Sequence, residues 1–416
     1  MTHHDPHHDI RRARTEILRI TDPEDVATYT LLRLVGPVRA ADYLTGRQEL
    51  TPRLLARHLE EAGAHDLSAA PALASAIGER TQRWKSRRAG ISVQQDMALA
   101  RASSSWLCIP EDPDWPQALN DLAEKTPVGL WGRGDRQLLA QLTTEKSYAV
   151  VGSRDVSSYG NSATSHLAGE LANRGYTVVS GGAFGVDATA HRAALATATS
   201  SLPTVALMAG GLDRLYPKPN ERLLHEIIER GLLLSEVPLG QNPTRYRFLQ
   251  RNRLIAALTG ASIVVEARWR SGALNTAHHA LELGRPVYAV PGPIFSPTSE
   301  GCHRLIRDGL AQLVTDARQI LDDRTSEIAA EQTSLFAAPS AHQQLLDSLT
   351  ETQRRVWDVL PLRTPATVEQ LSADLALPAR TVMIALAQLN RLNLAEQEGM
   401  GWRKTKPSAE SSGGIE

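Results

Sequence analysis

Between residues 147 and 314, short apolar runs alternate with segments of helix length. The runs cover 148–151, 177–180, 204–208, 232–235, 262–266, 286–290 and 311–314, and most are rich in Val, Leu and Ile. Apolar runs this short, with little polar alternation, predict strands buried on both faces and joined by βαβ crossovers. The expected fold is an α/β class, Rossmann-like parallel sheet of six or seven strands. In such sheets a ligand sits in the loops beyond the carboxyl ends of the strands.

The flanks follow another rhythm. From 23 to about 88, apolar residues fall three or four apart and predict helices. Leu34-Val35-Gly36-Pro37-Val38 predicts a turn between two of them, similar to half of a helix-hairpin-helix, whose turn amides can hold a phosphate. Near the C-terminus, 353–360, 367–375 and 379–391 predict three helices, followed by a strand–turn–strand around Gly399-Met400-Gly401, the order of a winged helix. The expected organisation is therefore a disordered tail at 1–20, a helical domain at 21–100 and an extended Rossmann-like domain at 101–322. A linker at 323–350, a winged-helix domain at 351–406 and a second tail at 407–416 complete it. The third helix of the last domain carries only Arg380 and Arg391 as bases. Protein partnering, or a weak duplex contact through Arg403 and Lys404, fits it as well as base reading does.

Composition narrows the function. The 416 residues carry 45 basic and 46 acidic side chains, so net charge makes no case for nucleic acid. Any such case must come from local clustering, because screening leaves only nearby charges. Cys108 and Cys302 are far apart and outside any CxxC spacing, which argues against a disulfide framework or a zinc site and for a reducing compartment. The start MTHHDPHHDIRR lacks the apolar stretch of a secretory signal, and His3, His4, His7 and His8 read as a polar tail rather than a metal site. No apolar run is long enough to span a bilayer. A cytoplasmic location is expected.

Nearly every motif with chemical promise follows a predicted strand. Gly152-Ser153-Arg154 combines a glycine that lets backbone approach a phosphate, a hydroxyl and a guanidinium fork. Ser180-Gly181-Gly182-Ala183-Phe184-Gly185-Val186-Asp187 offers a nest of amides for an anion. Asp187 and His191, four apart, read as structural rather than as an acid/base pair. Lys218, just before a helix, offers a point charge. Arg245-Tyr246-Arg247-Phe248-Leu249-Gln250-Arg251-Asn252-Arg253 interleaves four arginines with two aromatics, and no Asp or Glu stands between Val237 and Val265. That pattern suits a single strand, whose phosphates need cations and whose bases need flat surfaces. Arg268 and Arg270 add charge before Ser271-Gly272, where Ser271 is a helix cap. Pro291-Gly292-Pro293 shapes the rim. Asp187, Asp213 and Glu266 lie in separate loops with no spacing for a metal pair. GxGxxG, Walker A, HExxH and GxSxG are all missing. We expect no catalytic residues, no metal and no cofactor.

These residues resemble the DNA-processing protein A family, also called Smf. The resemblance is carried by AVVGSRDVSSYG, VVSGGAFGVDATAHRAAL, ALMAGGLDRLYPKPN, LLSEVPLG, RFLQRNRLIAAL, VVEARWRSGALNTAHHALELGRPVYAVPG and EGCHRLIRDG, in order from 147 to 314. It implies an extended Rossmann fold that binds and protects single-stranded DNA, dimerises, and loads the RecA recombinase during natural transformation, without enzymatic activity. It implies Arg154 as a phosphate contact and Gly181, Gly182 and Gly185 as loop formers. It also implies Arg251 and Arg253 for the backbone and Phe248 for a base. With Gly152, Ser153, Lys218, Arg245, Asn252, Ser271 and Gly272, these make up the candidate DNA-binding set. Leu249 stands where the family more often has Pro, and His303 where it has Asn. The alternative is a nucleotide-processing enzyme similar to nucleoside monophosphate phosphoribohydrolases. Those depend on a PGGxGT run with an acidic partner, where this chain has Pro291-Gly292-Pro293-Ile294. A sequence-specific repressor acting through the winged helix is a third possibility.

Overall fold

A computed structural model describes residues 7–63, 70–88, 90, 92–323, 349–361, 364–375, 377–399 and 401–405. The chain divides into two compact units, 1–323 and 324–416. The first opens with helices α1 (His8–Ile20), α2 (Val26–Thr45), α3 (Pro52–Glu61), α4 (Ala70–Arg83), α5 (Lys85–Arg88) and α6 (Val93–Ala102). Helix α2 breaks where the sequence places a turn. Gly36 takes φ 76°, ψ 164°, a conformation open to glycine, and Pro37 starts the second stretch.

Helix α1 overturns the expectation that 1–20 is a tail. Ala13, Ile17 and Ile20 keep a helical period and enter a core with Leu31, Leu44 and Trp84. Arg11 and Arg14 reach Asp112 and Glu111, both at 2.7 Å, and Arg19 pairs with Asp96. The dense charge of this segment is partnered about a hundred residues downstream, which its own composition does not reveal. The His3 and His4 end, the greater part of the 323–350 linker and the 407–416 tail lie outside the described residues.

The sheet that follows contains β1 (Ser105–Cys108), β2 (Leu130–Arg133), β3 (Ser147–Val151), β4 (Thr177–Ser180), β5 (Thr204–Leu207), β6 (Leu232–Ser235), β7 (Ala261–Val264), β8 (Val287–Ala289) and β9 (Gln312–Leu313). Their order across the sheet is β1-β2-β6-β5-β4-β3-β7-β8-β9. Strands β3 to β9 are the seven expected parallel strands. The two extra strands pair antiparallel, β1 with β2 and β2 with β6, and raise the total to nine. Their sequences lie among four prolines and lack a Val/Ile run, which hid them. Helices α7 (Ser158–Asn173), α8 (Val186–Thr197), α9 (Glu221–Arg230), α10 (Arg245–Ala257), α11 (Gly272–Glu282) and α12 (Glu300–Arg307) supply the crossovers. Strand β3 pairs with β4 on one side and β7 on the other. The chain winds in opposite directions from this point, which opens a crevice at the carboxyl ends.

In the second unit α13 (Glu351–Val359), α14 (Val368–Leu375) and α15 (Ala379–Arg391) surround Val356, Leu371, Val382, Leu386 and Leu389. Strands β10 (Ala366–Thr367), β11 (Ala395–Glu398) and β12 (Gly401–Lys404) form an antiparallel sheet in the order β10-β12-β11. Three helices and a terminal hairpin appear in the expected order. The short β10 is an addition. Arg403 pairs with Glu396 at 2.7 Å, and Lys404 lies 4.1 Å from the Trp357 ring centre.

Candidate nucleic-acid interface

The loop after β3 is built by packing. Gly152 sits so close beneath Val186 that a Cβ would approach its Cγ2 to 2.6 Å. Ser153 donates its amide to Glu266 O at 2.7 Å, while its hydroxyl donates to Asp155 O at 2.9 Å and accepts from Asp155 N at 3.1 Å. Ser153 therefore shapes the turn instead of offering a hydroxyl to phosphate, a correction to the sequence reading. Arg154 is left exposed, its guanidinium 4.6 Å from the Phe248 ring centre.

The glycine-rich loop after β4 also differs from expectation. Gly182 and Gly185 take φ of 64° and 73°, which other residues rarely adopt. The amides are already engaged. Gly181 and Ala183 donate to Asp187 Oδ2 at 3.1 and 3.3 Å, and Gly182 donates to His191 Nε2 at 3.3 Å. Three amides of the nest are taken by its own helix, so Gly181 and Gly182 form the loop without offering an anion site, and Gly185 shapes the turn into the helix. Asp187 and His191 have the structural role expected of them. The Thr204 hydroxyl donates to Val178 O at 2.6 Å, so His191 Nδ1 is the donor in its 2.7 Å bond to Thr204. Burial, with Arg251 and Arg192 nearby, pushes this ring down to about 3 and keeps it neutral. Burial raises the Asp187 carboxyl, against the pull of Arg251 and the loop amides.

Helix α10 sorts the arginine cluster by face. Thr244 caps it, accepting from Arg247 N at 3.3 Å. Arg245 is exposed, and Arg247 turns back to Asn242 O and Gln241, both at 2.9 Å. Arg251 is buried, donates Nη1 to Leu207 O, and lies where a Cβ on Gly181 would fall. Burial, helped by Arg154 and opposed by Asp187, lowers it to about 10, so it stays charged at neutral pH. Its Nε has no hydrogen-bond partner among the described residues. Arg253 is a correction. It is fully buried, forked onto Glu236 at 2.8 and 3.0 Å, 3.3 Å from Glu24, and donates to Lys125 O at 3.1 Å. It cannot meet a phosphate.

These loops and α10 enclose a groove of about 690 Å³. Of the candidates it gathers Gly152, Ser153, Arg154, Arg245, Phe248, Arg251, Asn252, Ser271 and Gly272. Asn252 braces the far wall, donating to Gly272 O and Asn275 Oδ1 at 3.2 Å. Ser271 caps α11, accepting from Ala273 N at 3.2 Å. Arg268 and Arg270 also line the groove; both are exposed, and Arg268 pairs with Asp155 at 2.9 Å. Lys218 is a further correction. It lines a separate hollow beside Asp213 and Arg214 and is paired with Glu221 at 2.7 Å. Sequence reasoning missed Tyr216, half exposed, whose ring lies 6.1 Å from Phe248. With Met208, Leu212, Leu215 and Pro243 it walls an apolar notch next to the groove. An aromatic two residues ahead of Lys218 was the available signal.

Three carboxylates near the groove are committed to loops. Glu266 accepts from the Ser157 hydroxyl, the Ser157 amide and the Thr298 hydroxyl at 2.6, 2.9 and 3.0 Å. Asp213 accepts from Gly240 N at 2.6 Å, and Asp187 holds the β4 loop. The site thus presents guanidinium groups and aromatic faces to the groove, with Glu266, Asp213 and Asp187 turned into the scaffold and the exposed Asp155 paired with Arg268.

Residues 106–325 match the sequence pattern of a family described as DNA recombination-mediator protein A. A Mycobacterium tuberculosis (strain H37Rv) protein assigned as a DNA processing protein DprA is 37% identical over 411 residues, 96% of this chain and 95% of its own. Protein Smf of Escherichia coli (strain K12) is 46% identical over 176 residues, 42% of this chain and 46% of its own. The X-ray structure of DNA processing protein A (DprA) from Streptococcus pneumoniae superposes with a TM-score of 0.55 at 31% identity, covering 76% of this chain and 97% of that one. Among the described residues no helix is long and apolar enough to cross a membrane.

Proposed function

The chain belongs to the DNA recombination-mediator protein A family, and from that we propose that it grips single-stranded DNA in the groove without cleaving it. One observation carries this reading. The Arg154 guanidinium lies on the half-buried Phe248 ring at the mouth of a groove flanked by Arg245, Arg268 and Arg270. A cation beside a flat ring meets both parts of an unpaired nucleotide, the phosphate by charge and the base by stacking. Buried Arg251 adds positive potential from below. Glu266, Asp213 and Asp187 are turned to loop amides and hydroxyls and Asp155 is held by Arg268, which supports binding rather than hydrolysis and disfavours the nucleotide-processing alternative.

The finer reading follows the family's description as a recombination mediator. We read the protein as a homodimer that protects incoming strands and loads the RecA recombinase onto them during natural transformation, in the cytoplasm. The residues at 351–406 read as a winged helix for a protein partner. The wing cations Arg403 and Lys404 already face Glu396 and Trp357.

A salt titration of binding to an oligothymidylate and to a duplex of equal length tests the groove. Three or four phosphate contacts give a slope of log affinity on log salt of about −2 to −3 for the single strand. Arg154→Ala should reduce the slope by about one contact and weaken all sequences alike. Unchanged binding in Arg154→Ala, or equal preference for the duplex, would rule the reading out.

A further inference from the structure

Strand β8 lies next to β7 in the sheet, so the loop after β8 stands beside the loop whose Arg268 and Arg270 close the groove. The β8 loop is firmly braced. The Tyr159 hydroxyl donates to Pro291 O, and His303 Nε2 lies 3.0 Å from Gly292 O. Farther along, the Thr298 hydroxyl donates to Glu266, and Ala267 N donates to Thr298 O at 2.7 Å. Between these anchors the tip turns Ile294 and Phe295 outward, Phe295 at 92% exposure. In the neighbouring loop Trp269 is 48% exposed, with the Arg304 guanidinium 4.5 Å from its ring centre.

A lone exposed apolar residue needs no explanation. A braced loop that holds a phenylalanine out, next in strand order to a loop that carries an exposed tryptophan–arginine stack and two groove arginines, is a different case. We propose that Trp269 and Phe295 form a second base-stacking platform, on which a single strand leaving the groove past Arg270 lays its next bases. This rests on the groove being a single-strand site. Charge complementarity and continuity select the occupant. Asp155 neutralises Arg268, while Arg270 is exposed one residue past Trp269 and the Arg304 guanidinium lies over its ring. An exposed ring that carries a guanidinium and adjoins groove arginines fits a polyanion with flat bases better than the continuous apolar face a protein partner would bury. The anchors also hold the loop before binding, so little backbone order is lost when a base stacks at its tip.

The test is fluorescence anisotropy with the full-length protein and two oligothymidylates, one of about six nucleotides that fills the groove alone and one of about twenty that continues past it. Trp269→Ala and Phe295→Ala should each weaken the longer oligomer roughly ten-fold, as loss of one stacking surface does, and leave the shorter one unchanged. Trp269→Phe should keep the affinity but lose the quenching of tryptophan emission that the longer oligomer causes. Both side chains are exposed, so matching melting curves will confirm intact folding. Wild-type affinity for the longer oligomer in both Ala variants, with Arg154→Ala weaker on both lengths, would overturn the platform and keep the groove; the apolar tip would then be a protein contact. Equal weakening on both lengths would place these rings inside the groove site and also overturn a separate platform. An Arg154→Ala variant unchanged on both lengths would remove the groove and the platform together.

Discussion

At the scale of single residues, neighbouring arginines on α10 have different roles because they face different surroundings. Arg245 reaches solvent, Arg251 lies under the groove, and Arg253 is buried between Glu236 and Glu24. Removing one member of a buried ion pair leaves its partners charged and dry, at a cost of about 3–5 kcal/mol. Arg253→Met should therefore lower unfolding stability by about that amount in urea, while Arg154→Ala, at an exposed position, should leave the midpoint nearly unchanged. An Arg253→Met protein as stable as wild type would refute the burial argument. His191 gives a pH signature. In the folded protein its ring stays neutral down to about pH 3, while in the unfolded chain it takes up a proton near 6.5. The unfolded state thus binds more protons between these values, and stability falls as pH drops through that window. The raised Asp187 carboxyl gives an opposing slope just above its ordinary range. Comparison with His191→Gln isolates the histidine: melting temperature should fall less steeply from pH 6.5 to 4 in the variant than in wild type.

At the scale of elements, α10 joins binding to folding. Its first turn carries Arg245 and Phe248 into the groove, and its later turns carry Leu254, Ile255, Ala256 and Ala257 into the core. The Thr244 cap fixes the first turn, so Thr244→Ala should cost about 1 kcal/mol and weaken single-strand binding through a frayed groove wall, seen together in urea melts and anisotropy. The parallel strands were legible because each is a short run buried on both faces, and the seven predicted runs fall within a residue or two of β3 to β9. Strands β1 and β2 were not, because an antiparallel addition at a sheet edge needs no Val/Ile run and prolines surround it. The site was legible in Gly152, Arg154 and Phe248, where chemistry and position in the chain agree. It was misread at the glycine nest and at Arg253, where local sequence leaves the partner open. The amides of the nest are taken by Asp187 and His191 one turn later. Arg253 is answered by Glu236, just outside the acid-free stretch, and by Glu24, more than two hundred residues away.

At the scale of the whole molecule, the N-terminal helices and the sheet form one folding unit through these same contacts. Gln250 donates to Pro23 O at 2.7 Å, Arg253 approaches Glu24, and Arg11 and Arg14 of α1 hold Asp112 and Glu111 beside β1. All of these contacts end on buried or partly buried groups, so the helices should not melt apart from the sheet. The residues from 324 onward are a separate compact unit with their own apolar core. Calorimetry should accordingly show two transitions for the full chain, and a chain ending at Asp323 should retain the larger one at an unchanged temperature. Because every groove residue lies before that point, the shortened chain should also bind a short oligothymidylate within about two-fold of the full chain, a difference of less than 0.5 kcal/mol. A chain starting at Ser103 should fare worse. It lacks Glu24 and the α1 arginines, leaves Arg253, Asp112 and Glu111 short of partners, and is expected to unfold at lower urea and lose the groove. Tight binding by that shorter fragment would show that α10 stands without the helices packed behind it.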